Sequence, residues 1–118
     1  MKSYRDLVVW QCAMDLAVAV YELTKNWPRD EIYGLTSQIR RAATSVPANI
    51  AEGYGRENRG SYLQFLRIAQ GSLKELETHL LISGRIGITS AQAVEPLLAD
   101  SERIGKLLRG LIRRLAEK

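Results

Sequence analysis

The sequence predicts an all-α protein folded as an antiparallel, up-down-up-down four-helix bundle. Apolar residues recur at spacings of three and four along four segments, which is the period of an amphipathic helix. The stretches between these segments are short, so consecutive helices are expected to be antiparallel neighbours. No stretch alternates apolar and polar residues as a half-buried strand does. The 118 residues match the length of one domain, predicted to span residues 1–118.

The first helix is predicted from about Tyr4 to Asn26. Ser3, followed three residues later by Asp6, is a capping pattern, and Pro28 lies just beyond the helix end. Two apolar stripes run side by side along this helix: Val9, Ala13, Leu16, Val20 and Leu23 in one, and Trp10, Met14, Ala17 and Tyr21 in the other.

The second helix is predicted to begin within residues 30–36 and to end near Glu52. Pro47 lies inside its apolar pattern, where a proline removes one backbone hydrogen bond and clashes with the carbonyl of Ala43. Because the stripe continues in phase on both sides, we expect a kink at Pro47 and not a break. Polar residues at matching height predict a polar network between the second and third helices: Gln38, Arg40, Arg41, Asn49 and Glu52 against Gln70, Ser72, Glu75 and Glu77.

The third and fourth helices both open with capping-box patterns. A polar loop over residues 54–60 precedes the third helix, which is predicted to start at Ser61 because Gln64 follows three residues later. Gly84 and Gly87 are expected to end it. Thr89 with Gln92 predicts the start of the fourth helix, which continues to the C-terminus.

The apolar surface exceeds what a lone bundle needs, since a helix in a monomeric bundle usually carries one apolar stripe. Two interpretations remain open: a second buried face formed by self-association, or a broad core toward which all these residues turn. The candidate oligomer-interface residues are Trp10, Met14, Tyr21, Phe65 and Ile68.

The net charge of +4 arises from the C-terminal part of the fourth helix. Residues 103–118 hold six basic side chains and one acidic one, a net +5, which leaves −1 for the rest of the chain. Such a patch attracts phosphates or an acidic partner, although cations near a helix C-terminus are also favoured by the helix dipole alone. Five of the basic residues fall within about 140° of the helix surface, opposite its leucines: Arg103, Lys106, Arg109, Arg113 and Arg114.

A second candidate phosphate site is the segment from Gly55 to Ser61. It has the glycine spacing of a phosphate-binding loop but lacks the lysine after the second glycine, and a helix precedes it instead of a strand. Arg56 and Arg59 beside a helix N-terminus could hold a phosphate, or the segment could be a simple turn.

Residues able to carry catalysis or bind a metal are few. The chain has one histidine, His79, and one cysteine, Cys12, too few for a structural zinc or a di-iron site. His79 with Glu75 at helical spacing is expected to be a structural pair. The sequence therefore predicts no catalytic residue, no metal and no cofactor. The single cysteine and the lack of a long apolar run predict a cytoplasmic protein without a membrane partner.

Three stretches resemble a known family: residues 5–11, residues 33–53 and residues 62–78. They are similar to the bacterial four-helix-bundle proteins encoded in intervening sequences of 23S ribosomal RNA genes, also called the S23 ribosomal protein family. The resemblance covers essentially the whole chain. It implies a homopentamer, and it implies no catalytic residues. A protein of similar fold, the accessory protein of diversity-generating retroelements, forms a pentameric barrel and works with a reverse transcriptase and its RNA.

The residues and the resemblance together predict a non-enzymatic, oligomeric RNA-binding or ribonucleoprotein accessory protein. Its basic face would neutralise phosphates. The alternative is a protein–protein scaffold whose basic fourth helix docks an acidic protein partner, without nucleic acid. The resemblance also suggests a protein partner such as a reverse transcriptase.

Overall fold

The computed structural model describes residues 2–117, which form four long helices. Single 3-10 turns, Tyr4–Asp6 and Arg29–Glu31, precede the first two helices. The described residues contain no strand. The all-α prediction is therefore confirmed, with these bounds: α1 Val8–Thr24, α2 Leu35–Gly55, α3 Arg59–Arg85 and α4 Ala91–Ala116.

Adjacent helices are antiparallel, as the order of their contacts shows. Gly53 of α2 packs against Phe65 of α3, while the earlier Ser45 lies beside the later Ser72. In the same way Glu77 of α3 bonds to Ser101 of α4, whereas the earlier Leu73 packs against the later Gly105. The fourth helix returns to contact the first, so each helix has two neighbours in a four-sided bundle.

One hydrophobic core fills the space between the four helices. It collects the apolar stripes because burying a large aliphatic side chain contributes about 1.5–3 kcal/mol. Its largest fully buried members come from α2, α3 and α4: Ile39, Ile50, Leu66, Leu73, Leu76, Leu80, Ile104 and Leu108. In α1 the stripe that begins at Val9 is buried, whereas much of the stripe beside it stays exposed.

The start of the first helix was predicted wrongly. Residues Tyr4–Asp6 form a separate 3-10 turn, and α1 begins only at Val8. The cap at Ser3 is present but serves that turn, since its hydroxyl accepts a hydrogen bond from the Arg5 N–H at 3.1 Å. Leu7 separates the two elements because its backbone is extended while its side chain is buried.

The last two helices also begin at positions other than those predicted, because different residues cap them. Asn58 caps α3, its side-chain oxygen accepting from the Ser61 N–H at 2.9 Å, so the helix begins two residues before the predicted Ser61. Ser90, not Thr89, caps α4 by accepting from the Ala93 N–H at 3.0 Å. Gly87 does follow α3: it has a φ of 79°, and the next N–H returns to the Ser83 carbonyl at 3.1 Å.

The second helix continues through Pro47, which is buried, so the predicted absence of a break is confirmed. The size of a bend at this position stays a prediction. A second proline, Pro96, lies inside α4 near its start, a feature that the sequence analysis did not identify.

Candidate nucleic-acid interface

The basic side chains of α4 lie on its outer face. All five predicted residues, from Arg103 to Arg114, are exposed, and the buried Ile104 and Leu108 lie on the opposite side of the helix. The helix thus presents cations to solvent while its leucines hold it in the bundle.

Ion pairs divide this face into two halves. Arg103 lies 3.7 Å from a carboxylate oxygen of Asp100, and Lys106 lies 3.9 Å from one of Glu102. By contrast Arg109, Arg113 and Arg114 pair with no carboxylate among residues 2–117. Uncompensated positive charge therefore accumulates in the C-terminal half of α4.

A groove of about 340 Å³ lies between α3 and α4. Two cations of α3, Arg67 and Lys74, face it from one side, and Arg109 of α4 faces it from the other. Gln70 and Gly71 lie between the two α3 cations. Arg67 and Lys74 were not predicted as site residues, although their seven-residue spacing places them on one helix face.

The glycine segment is not the loop that the sequence predicted. Gly55 ends α2 and Gly60 lies in the first turn of α3, so only residues 56–58 connect the helices. The Arg56 guanidinium pairs with Glu52 at 2.9 Å and lies 5.0 Å from the centre of the Phe65 ring. Arg59 is exposed. Because the helices are antiparallel, this segment lies at the same end of the bundle as Arg113.

A second groove, of about 480 Å³, lies between α1 and α2 and is almost entirely apolar. Trp10, Met14 and Tyr21 line it together with Val18, which the sequence analysis did not single out and which is 59% exposed. The walls on α2 are small residues around Pro47. Tyr4 closes one end by packing edge-on against Trp10, with ring centres 5.2 Å apart.

The five predicted interface residues form two groups and not one surface. Phe65 and Ile68 belong to α3, away from the groove between α1 and α2. Met14, Tyr21 and Ile68 are 38%, 45% and 44% exposed, so the broad-core interpretation is wrong for these three. Trp10 is partly buried and packs against the core.

The polar network between α2 and α3 is smaller than predicted. The hydroxyls of Ser45 and Ser72 lie 2.8 Å apart, and the Asn49 amide donates to the Ser45 carbonyl at 2.7 Å. Glu77 instead accepts from Ser101 of α4 at 2.6 Å. Glu75 lies 3.3 Å from His79 on its own helix, in line with a structural pair.

Two tyrosines meet where α2 ends against α3. The rings of Tyr54 and Tyr62 pack edge-on with centres 6.0 Å apart. Burial raises the pKa of the Tyr62 phenol above its ordinary 10.0, and the neighbouring Tyr54 raises it further.

Comparison with known proteins assigns the chain to a family. A family model described as "23S rRNA-intervening sequence protein" matches residues 5–110. The chain belongs to this family. The resemblance inferred from the three motifs is thus confirmed. No curated protein matches the chain.

A solved structure in the same family has the same fold. It is a protein of unknown function from the S23 ribosomal protein family of Bacteroides thetaiotaomicron. The two chains are 29% identical and superpose with a TM-score of 0.80, covering 89% of this chain and 98% of the other. The two members of the family therefore have the same four-helix-bundle fold.

No group of three or more His, Cys, Asp or Glu side chains within residues 2–117 is placed to hold a metal ion. In the same part of the chain, no helix is both long and apolar enough to cross a bilayer.

Proposed function

We propose that the protein is a non-enzymatic, oligomeric accessory protein of a cytoplasmic ribonucleoprotein, and that it binds RNA phosphates. The observation that carries the proposal is the set of exposed arginines Arg109, Arg113 and Arg114, which have no carboxylate partner among residues 2–117. Membership of a family named for intervening sequences of 23S rRNA supports RNA as the partner.

The chemistry of this surface favours binding of the RNA backbone over reading of its bases. Arginines that neutralise phosphates release condensed counterions, which supplies affinity without sequence information. The fourth helix contains no aromatic residue on which a base could stack. Arg59, at the same end of the bundle, extends the positively charged surface.

Self-association into a homopentamer is part of the proposal. The apolar groove between α1 and α2 exposes Met14, Val18 and Tyr21, side chains whose burial against a second copy would be favourable. The number five comes from the family resemblance. Five basic faces on one particle would raise avidity for a long RNA without any new contact.

The test replaces Arg109 and Arg113 with glutamine together. The logarithm of the RNA association constant falls linearly with the logarithm of salt, and each phosphate contact contributes a slope of roughly 0.7–0.9. We expect the double variant to flatten the slope by about one to two units and to weaken all RNA sequences alike. Fluorescence anisotropy with labelled RNA over a salt series measures this.

The matched control removes the same charge at the other end of the bundle. Arg29→Gln with Arg85→Gln changes two exposed cations that lie beside the start of α2 and at the end of α3. The slope should then stay as in the wild type. An unchanged slope in the Arg109/Arg113 variant, or no RNA binding by the wild type at low salt, contradicts the proposal.

An acidic protein partner is the second candidate. It is favoured by the contacts of Arg103 and Lys106, since this face already places two carboxylates within 4.0 Å of its cations. Salt-sensitive binding to polyglutamate, in a protein that binds no RNA at low salt, would support this candidate in place of the first.

A further inference from the structure

We propose that the groove between α3 and α4 is where a nucleic-acid backbone binds, held by Arg67, Lys74 and Arg109. This inference rests on the proposed function and specifies where on the molecule the phosphates lie. The binding site then lies on the side of α4 that faces α3, not on its outer face, and it includes two residues of α3.

The first step is the placement of the three cations. Arg67 and Lys74 are seven residues apart, about 10 Å along the axis of α3 and on the same face. Leu73 packs against Gly105 of α4, with a side-chain carbon 3.6 Å from where a Cβ on that glycine would lie. This contact brings Arg109, one turn further along α4, to the groove from the opposite side.

The second step concerns the two glycines of the groove. A guanidinium nitrogen of Arg109 lies 3.6 Å from the Cβ position of Gly105, so the side chain folds back over the glycine. Gly71 is exposed, and apart from its chain neighbours and the backbone of its own helix no atom lies within 4 Å of the position its Cβ would take. A glycine inside a helix costs about 0.5–1 kcal/mol relative to alanine, and packing does not require one here. The exposed backbone at Gly71, between Arg67 and Lys74, instead allows a phosphate to approach the helix closely.

The third step is the charge along the groove. Toward the start of α4 it adjoins two carboxylates, Glu77 and Glu102, and Glu77 pairs with Lys74 at 3.2 Å. Arg67 and Arg109 pair with no carboxylate among the described residues. The positive end of the groove therefore opens toward Arg113, and the two glutamates limit how far an anionic strand extends. No aromatic side chain lines the groove, which suits a phosphate backbone and not stacked bases.

The test exploits the open space at Gly71 by placing a carboxylate there. In Gly71→Glu the new side chain has Arg67 four residues before it and Lys74 three residues after it, so it would neutralise both while supporting the helix. We expect at least a tenfold loss of affinity for a labelled 20-nucleotide oligouridylate at 50 mM salt. Gly71→Ala fills the same space without charge and should bind within about twofold of the wild type. Circular dichroism and light scattering check that both variants fold and assemble as the wild type does.

A second pair of variants separates the groove from general positive charge. Arg67→Gln should weaken binding and flatten the salt slope by roughly 0.7–0.9. Arg85→Gln removes one exposed charge at the far end of α3, does not touch the groove, and should change the slope little. An oligodeoxyuridylate of the same length should respond to all four variants in the same way, because phosphates alone are recognised.

The outcomes distinguish the two proposals. If the Arg109/Arg113 variant loses binding but Gly71→Glu binds as Gly71→Ala does, the groove proposal is wrong and the proposed function stands. Equal losses in Arg67→Gln and Arg85→Gln also overturn the groove proposal, since positive charge alone then explains binding. If the wild type binds no nucleic acid at low salt, the proposed function fails and the groove proposal fails with it.

Discussion

The two grooves of the bundle have the same construction and opposite chemistry. Each is the valley between two antiparallel helices. The groove between α1 and α2 has one charged lining residue, Glu22, whereas the groove between α3 and α4 has three cations. The difference follows from what the helices carry beside their core stripes: both charged residues of α1 are acidic, whereas α3 supplies Arg67 and Lys74 and α4 supplies Arg109.

The two grooves lie on opposite sides of the molecule. In a four-sided bundle where each helix contacts only its sequence neighbours and α4 contacts α1, the seam between α1 and α2 faces away from the seam between α3 and α4. A second copy seated on the apolar side therefore does not touch the basic side directly. Assembly and nucleic-acid binding can therefore be tested separately, by changing one groove at a time.

The largest effect is expected from a charge placed in the apolar groove. Met14→Glu would bury an unpaired carboxylate at each subunit contact, at a cost on the order of 3 kcal/mol, or about a hundredfold in the association constant. We expect light scattering at micromolar concentration to show the wild type at roughly five times 13.3 kDa and the variant as smaller species. Binding of short RNA to each subunit should persist.

Val8→Glu is the matched control for this variant. Val8 is 60% exposed on the same helix but does not line the groove, so its replacement should leave the assembly intact. A wild type that stays monomeric would contradict the proposed self-association.

The next effect concerns the seam between α2 and α3, which holds the two grooves at a fixed separation. A Cβ on Gly53 would lie 2.8 Å from the Cβ of Phe65, closer than packed atoms approach, so Gly53→Ala must push the helices apart. We expect a loss of about 1–3 kcal/mol in the free energy of unfolding, measured by urea denaturation. Gly55→Ala is the control, since no atom outside its own helix backbone and chain neighbours lies within 4 Å of its Cβ position. Equal stability of the two variants would show that the close contact costs nothing.

The apolar periodicity was sufficient to predict the bundle, but not the details that depend on local competition. Two capping patterns overlap at the start of α3, and Asn58 prevails over Ser61, which adds two residues to the helix. Spacing alone could not decide between them, because both side chains can accept a backbone N–H. Similarly, the burial of Leu7 interrupts a pattern that would otherwise read as one continuous helix.

The candidate site was predicted only in the part that one helix determines. The sequence of α4 alone predicts that its cations share one face, since helix geometry determines which residues lie on the same side. Arg67 and Lys74 could not be assigned in this way. They join Arg109 because Gly105 lets α4 approach Leu73 closely, and this lateral contact between two helices has no signature in either helix alone.

The smallest expected effect is the pH dependence at Tyr62, in the same seam. Its pKa is raised in the folded protein, chiefly by burial and further by Tyr54, so the folded state holds the phenol proton more tightly than the unfolded state does. This contribution to stability is fully present below pH 10.0 and is lost as the pH rises through the folded-state pKa. Because the side chain is only half-buried, water screens the effect, and the stability should change only slightly with pH.

Urea denaturation between pH 8 and 11 should show that the free energy of unfolding falls less at alkaline pH for Tyr62→Phe than for the wild type. Tyr33→Phe removes a phenol from a side chain that is 96% exposed and should decline as the wild type does. Parallel curves for all three proteins would mean that the seam between α2 and α3 does not discriminate between the two forms of the phenol.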